Sequence, residues 1–223
     1  MPLKAVGIAP KFDNATNYSY EWYKGEHSFL DDNVGKWVLE DSLEKLEAVE
    51  KIAHKSIELH DPDLVVFYDH GNLDYWVGND GRTLMTESGL YLLKGRSVFT
   101  MCCLAAKVLG VKAVRAGAKE YWGYTENYAF TYDSVSEHGD VSGYGLRQAH
   151  KGYRNLFDVL EDARQHFYDV ADRLRGDGKT IAAAVMVRDA DALVCWNKNN
   201  LPVTPKSWLE RLIEWIKKLL GIA

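Results

Sequence analysis

The chain has 223 residues, 47% of them hydrophobic and 26% charged, and its 27 Lys+Arg against 32 Asp+Glu leave a net charge of −5 at pH 7. Such a composition supplies a sizeable core and excludes the disordered and fibrous classes. No basic run offers a footprint for phosphate backbones, so nucleic acid is not an expected partner. Length favours one main domain over residues 1–200, followed by a C-terminal segment over residues 201–223.

Three cysteines, two of them adjacent, cannot build a disulfide framework. The start MPLKAVGIAP lacks the charged-then-apolar layout of a signal peptide, so a cytoplasmic location is expected. No apolar run approaches the roughly 18 residues of a membrane span.

In chain order, Leu3 to Ala9 reads as a short buried strand. The next stretch, KFDNATNYSYEWYKGEHSF, has no clean apolar period and reads as a long loop. From Val38 the spacing of Leu39, Leu43, Leu46, Val49, Ile52 and Ala53 predicts an amphipathic helix, broken at Asp61-Pro62. Leu64 to Tyr68 (LVVFY) has the continuous apolar character of a strand covered on both faces. Tyr75 to Leu84 carries the turn signal Asn79-Asp80-Gly81 and reads as a hairpin excursion.

Ser97 to Met101 (SVFTM) is a further buried strand, Cys103 to Leu109 predicts a short helix capped by Gly110, and Val111 to Ala116 is a third apolar run. Leu146 to Arg175 reads as mostly helical up to Gly176-Asp177-Gly178, with late strands at Ile181–Val187 and Ala192–Trp196. Strands alternating with helices predict a three-layer α/β fold around a mainly parallel sheet.

In such sheets reactive groups gather beyond the carboxyl ends of the strands. LVVFY runs directly into Asp69-His70-Gly71, and SVFTM runs directly into Cys102-Cys103 and the small residues Ala105 and Ala106. If the two strands are neighbours, an imidazole and a thiol meet at one sheet edge, which is a nucleophile with its base. Gly71 lets the chain turn sharply and present a backbone N–H to a developing oxyanion. The bland alternative is that both cysteines are core thiols, since free Cys is among the most buried residue types.

"LVVFYDHG", a hairpin excursion and "SVFTMCCLAA" together resemble the caspase-like cysteine peptidase clan, which includes caspases, legumains, gingipains and CHAT-domain proteases. The Asp-His-Gly form is similar to legumain. "LGVKAVRAGAKEYWGYTE" resembles the stretch after the nucleophile in CHAT and gingipain-like members, and "AAAVMVRDADALVCW" resembles their late strand, so the resemblance spans most of residues 3 to 196. It implies a caspase-like (caspase-hemoglobinase) fold and a Cys-His endopeptidase acting on a peptide or protein substrate, without metal or organic cofactor. In the clan the nucleophile follows a small residue and precedes small ones, which fits Cys103 and leaves Cys102 as the alternative nucleophile. Gly71 and Cys103 then supply the oxyanion amides.

Glu126 stands where related proteins place pocket residues, as a partner for a basic substrate side chain or else a solvated loop carboxylate. Asp69 is expected to stabilise a turn, since as chain neighbours its side chain and that of His70 point to opposite faces, with orienting His70 or lining a pocket as the alternatives. His138-Gly139 reads as a surface loop, Asp189 and Asp191 as a polar turn, and Cys195 as core. No zinc-ligand spacing, P-loop or G-x-S-x-G motif is present in the sequence. Two further readings stand beside the endopeptidase: a silent scaffold of the same fold that binds a peptide or protein, and another thiol enzyme such as an amidase or acyltransferase. From Lys206 to Leu220 the tail has the clearest helical period in the chain, and it is expected to dock on its own domain or pair two copies as a homodimer rather than lie on a membrane.

Overall fold

The structure, a computed structural model, describes residues 2–32 and 34–202. The expected tail helix lies outside them. Along the chain run β1 (Leu3–Ala9), α1 (Asn14–Leu30), β2 (Trp37–Glu44), α2 (Glu50–His60), β3 (Leu64–Tyr68), a small hairpin of β4 (Trp76–Val77) and β5 (Thr83–Met85), and β6 (Ser97–Met101). They are followed by α3 (Leu109–Arg115), β7 (Glu120–Tyr124), α4 (Val135–Lys151), α5 (Leu160–Gly176), α6 (Thr180–Ala192) and β8 (Leu193–Asn197).

The six-stranded sheet has the order β2-β1-β3-β6-β7-β8, parallel throughout except for β8, which runs antiparallel to β7. Strand alternation divides the core in two. Leu64, Val66 and Tyr68 of β3 join a cluster with α1, α4, α5 and α6, while Val65 and Phe67 join the one beneath α2, α3 and the hairpin. This is the three-layer α/β architecture, with a mainly parallel sheet, that the alternation of elements predicts.

Several local expectations are overturned. The stretch read as a loop is α1, started by a reciprocal cap in which the Asp13 carboxylate accepts from the Thr16 amide and the Thr16 hydroxyl accepts from the Asp13 amide. Its buried face is Thr16, Ser19, Tyr20, Tyr23, Glu26 and Leu30, helically spaced but largely polar or aromatic. The helix expected from Val38 begins only at Glu50, because the chain first forms edge strand β2. A register shift opposite Ala5/Val6 inserts Glu40 as an extra residue. Trp37 and Leu39 therefore pack on the α1 side and Leu43 on the other, a change of face that mimics helical spacing.

Val111 to Ala116 belongs mostly to α3, whose close approach to the sheet needs Gly110, since a Cβ there would sit 2.5 Å from the Tyr121 ring. Ile181 to Val187 lies in α6, where Ala182, Ala183, Met186 and Ala190 form the buried face and Ile181 is exposed. An apolar run of that length fits a helix or a strand by periodicity alone, and tertiary packing decides.

Helix α4 packs unusually close to its neighbours. A Cβ on Gly143 would lie 1.9 Å from the Glu26 carboxylate of α1, and one on Gly145 would lie 2.4 Å from the Trp122 ring of β7. Between them Arg147 pairs with the buried Glu26 and with Asp140. Burial pushes Glu26 up to about 7 even though the Arg147 guanidinium draws it down. Gly to Ala inside a helix ordinarily stabilises by up to about 1 kcal/mol. Here Gly145→Ala should instead destabilise by about 1–3 kcal/mol in urea unfolding, because the methyl overlaps Trp122; a gain in stability would show that α4 does not sit against that ring.

Candidate active site

β3 and β6 pair in register from Leu64↔Ser97 to Tyr68↔Met101, and the Asp69 amide then donates to the Met101 carbonyl at 3.2 Å. Both strands therefore leave the sheet at one level, Asp69-His70-Gly71 beside Cys102-Cys103. The hairpin fixes the first of these segments. The Val77 amide donates to the His70 carbonyl (3.1 Å) and the Asn72 amide to the Tyr75 carbonyl (2.9 Å), which brackets Gly71 against Trp76 and leaves the Gly71 amide unused. Trp76 is itself held by stacking on Phe67 at 4.6 Å and by donating to the Tyr121 hydroxyl at 2.9 Å.

The two cysteines divide between the faces. Cys102 is buried on the α2/α3 side, so close to Gly71 that a Cβ there would meet its sulfur at 2.8 Å. Burial drives its thiol far above the ordinary range. Cys103 is partly exposed, and its Sγ lies 3.7 Å from the Tyr128 carbonyl as a weak donor. Burial raises this thiol too, with the Tyr128 backbone opposing.

The chain then reverses at Leu104, a non-glycine residue at φ +59°, a conformation that costs on the order of 1–3 kcal/mol and is stored where geometry matters. The Leu104 amide donates to the Glu126 carbonyl at 3.1 Å, and Ala105 and Ala106 are fully buried. The helix expected from Cys103 is thus a turn, and α3 starts only at Leu109. Among the described residues neither the Gly71 nor the Cys103 amide donates to a protein acceptor.

A cavity of about 70 Å³ opens here, lined by Asp69, His70, both Cys102 and Cys103, Tyr128 and Phe130 together with the first turns of α1. His70 is half-exposed and its Nε2 lies 2.8 Å from Asp13 Oδ2. Asp69 is buried, and neither of its oxygens has a hydrogen-bond partner. Burial pushes its carboxyl up to about 8, the nearby His70 amide only partly offsetting this. Asp69 and His70 thus line one cavity despite being sequence neighbours. Glu126 does not join them: it is exposed and pairs with Lys107 at 2.9 Å, because the chain beyond β7 turns its carbonyl, not its carboxylate, toward Leu104.

Residues outside the expected set also shape the site. Asp13, hidden in the stretch read as a loop, reaches His70, and its only sequence signal is the Asp13-x-x-Thr16 cap. Tyr128 covers Cys103 from the segment between β7 and α4. That segment is pinned by α6: Arg188 donates to the Asn127 carbonyl at 3.0 Å, and Asp189 accepts from the Ala129 amide at 3.2 Å. Asp189 is therefore a buried helical residue, not a turn, and burial pushes it up to about 7 against the pull of Arg188. His138 is likewise no surface residue. It is fully buried in α4, its Nδ1 bonded to Ser134 and its pKa held low by burial. Cys195 is core, as expected.

Among the described residues no group of three or more His, Cys, Asp or Glu side chains could hold a metal ion, and no helix is long and apolar enough to cross a membrane. No protein-family model matches the chain, and no curated protein matches it. Among solved structures it is similar to an inactive zymogen C11 protease from Parabacteroides distasonis, at 13% identity and a TM-score of 0.39, over 96% of this chain and 95% of that one.

The burial pattern orders the thiols by access. Under native conditions iodoacetamide should modify Cys103 while Cys102 and Cys195 stay protected until the protein unfolds, as read by peptide mass spectrometry. Equal labelling of Cys102 and Cys103 would contradict the division of the two thiols between the faces.

Proposed function

We propose that the protein is a cysteine endopeptidase of the caspase-like type, with Cys103 as nucleophile, His70 as its base and the Gly71 and Cys103 amides as oxyanion donors. The observation that carries this reading is one cavity lined by a half-exposed imidazole and two adjacent thiols, of which Cys103 is the more exposed, at strand ends where the Gly71 and Cys103 amides have no protein acceptor. The resemblance of "LVVFYDHG" and "SVFTMCCLAA" to the clan supports it, because both segments occupy the strand ends where the chemistry needs them.

In this mechanism His70 takes the Cys103 proton, and the thiolate attacks the scissile carbonyl carbon while the carbonyl oxygen gains charge toward the two amides. The tetrahedral intermediate collapses as His70 returns the proton to the leaving amine, leaving an acyl-enzyme. Water, deprotonated by His70, then releases the acid and restores the thiol.

Asp69 is the carboxylate that faces substrate in this reading, the role that Glu126 is too exposed to play. Buried and unpartnered, it favours a substrate side chain that brings a positive charge. The reading as a silent scaffold draws support from one observation, the Tyr128 carbonyl that keeps the Cys103 thiol as a donor.

Variants separate the two. Cys103→Ala or His70→Ala should lower peptide cleavage by about 10³-fold or more, whereas Cys102→Ala should keep at least part of the activity. No cleavage of any peptide by the wild type, with alkylation of Cys103 unaffected by His70→Ala, would leave the scaffold.

Substrate choice tests Asp69. Peptides with Arg or Lys before the scissile bond should be preferred, and Asp69→Asn should lower kcat/KM for them by about 10²-fold. An acid whose pKa is raised is neutral below that value and charged above it. Cleavage of basic peptides should therefore rise as the pH passes through about 8, and this rise should vanish in Asp69→Asn. A panel that prefers acidic or apolar residues at that position would exclude the assignment.

A further inference from the structure

An exposed acid-imidazole pair adds little to stability in water, so the contact between Asp13 and His70 calls for another account. Their side chains are 44% and 39% exposed, yet their geometry is tightly set. Asp13 is the N-cap of α1, and its two carboxylate oxygens face different groups. Oδ1 accepts from the Thr16 amide at 2.8 Å, and Oδ2 lies 2.8 Å from His70 Nε2. The Thr16 hydroxyl accepts from the amides of Phe12 and Asp13, both at 2.9 Å, which fixes the backbone that carries the carboxylate. Burial works to raise the Asp13 carboxyl, but hydrogen bonds from Thr16 and His70 and the attraction of His70 hold it below the ordinary range. It is therefore an anion across the neutral pH range, and an anion can only accept from Nε2.

We propose that Asp13 is a positioning residue that holds His70 as its Nε2–H tautomer and so leaves Nδ1 unprotonated to serve Cys103. This rests on the peptidase reading for its purpose, though not for its chemistry. A neutral imidazole carries one N–H, and a fixed acceptor at one nitrogen places the proton there and the lone pair on the other. The mount is the helix itself: the group that starts α1 is also the group that orients the base, so the position of the imidazole is coupled to the seating of α1 on the sheet.

Asparagine caps a helix as well as aspartate does. In Asp13→Asn the amide oxygen keeps the Thr16 contact and the amide nitrogen turns to His70. The new partner donates where the old one accepted, so the favoured tautomer inverts while the cap survives. In Asp13→Ser the cap survives and His70 loses its partner.

The test combines histidine ¹⁵N NMR on the full chain, with the His70 resonances assigned by His70→Ala, and the rate at which an Arg-chloromethyl ketone alkylates Cys103. The wild type should show the Nε2–H form, Asp13→Asn the Nδ1–H form and Asp13→Ser a mixture. Alkylation should slow by about 10²-fold or more in Asp13→Asn and by about tenfold in Asp13→Ser, with thermal midpoints near that of the wild type.

A His70 tautomer that is the same in wild type, Asp13→Asn and Asp13→Ser overturns the proposal. So does a tautomer that inverts while alkylation stays at the wild-type rate, provided that His70→Ala slows it. If the tautomer inverts and His70→Ala leaves alkylation unchanged, the coupling of Asp13 to His70 stands and the peptidase reading falls. Should Asp13→Asn fail to fold, Asp13→Ser decides: a tautomer mixture with alkylation slowed about tenfold supports the proposal, and a wild-type tautomer or a wild-type alkylation rate overturns it.

Discussion

Everything at the candidate site depends on β3 and β6 lying side by side, parallel, and ending at the same level. Hydrogen bonding in a parallel pair fixes which residues face each other, and with Tyr68 opposite Met101 it fixes what leaves the sheet together. The two-residue period then decides which side chain goes where. Phe99 and Met101 belong to the α1 side and Val98 and Cys102 to the α2/α3 side, so the alternation that buries Cys102 leaves the next residue the more exposed of the two thiols at the cavity. One pairing thus brings His70 to the cysteines and also tells the two cysteines apart.

The two faces of the sheet solve the packing problem differently. Beneath α2 and α3 the core is mostly aliphatic, built around Val6, Ile8, Val65 and Val98. On the other face the strands present aromatic rings, with Tyr68 stacked on Phe99 at 6.0 Å and Phe99 on Trp122 at 5.5 Å. Wide rings standing on a sheet demand either distant helices or helices without side chains at the contact, and Gly143 and Gly145 give α4 the second solution. Close packing at α4 draws in α1 through Glu26 and Arg147, and the start of α1 is where Asp13 meets His70. One helix thus carries both the deep contact to Arg147 and, at its start, the carboxylate that meets the half-exposed imidazole.

Sequence patterns recovered what depends on apolar runs. LVVFY and SVFTM are strands buried along their whole length, and Leu3–Ala9 is buried from Ala5 onward, so each carries a continuous apolar run, and the two chemical segments follow two of them directly. Helix α1 escaped because its buried face is Thr, Ser, Tyr and Glu: Thr16 and Ser19 are satisfied within the first turns of the helix, and Tyr23 and Glu26 by distant partners, Ser42 and Arg147. Asp13 was lost with it. Strand β2 was obscured by one inserted residue, and α6 by a run of alanine and valine that is apolar on every side. Tyr128 and Asp189 act on the cavity through a loop whose path no local pattern encodes. Glu126 misled because position along the chain does not say which way a carboxylate points.

The hold that α6 exerts on the segment over Cys103 has a consequence for how the chain comes into being. Arg188 and Asp189 grip Asn127 and Ala129 across 61 and 60 residues of sequence. During synthesis His70, Cys103 and Tyr128 all leave the ribosome well before either gripping residue exists, at a few to some twenty residues per second. For that interval the nascent chain carries its thiol under a segment with no tether to α6. The last described helix is thus also a timing element: the cavity acquires its final roof only when nearly the whole of the described chain has been made.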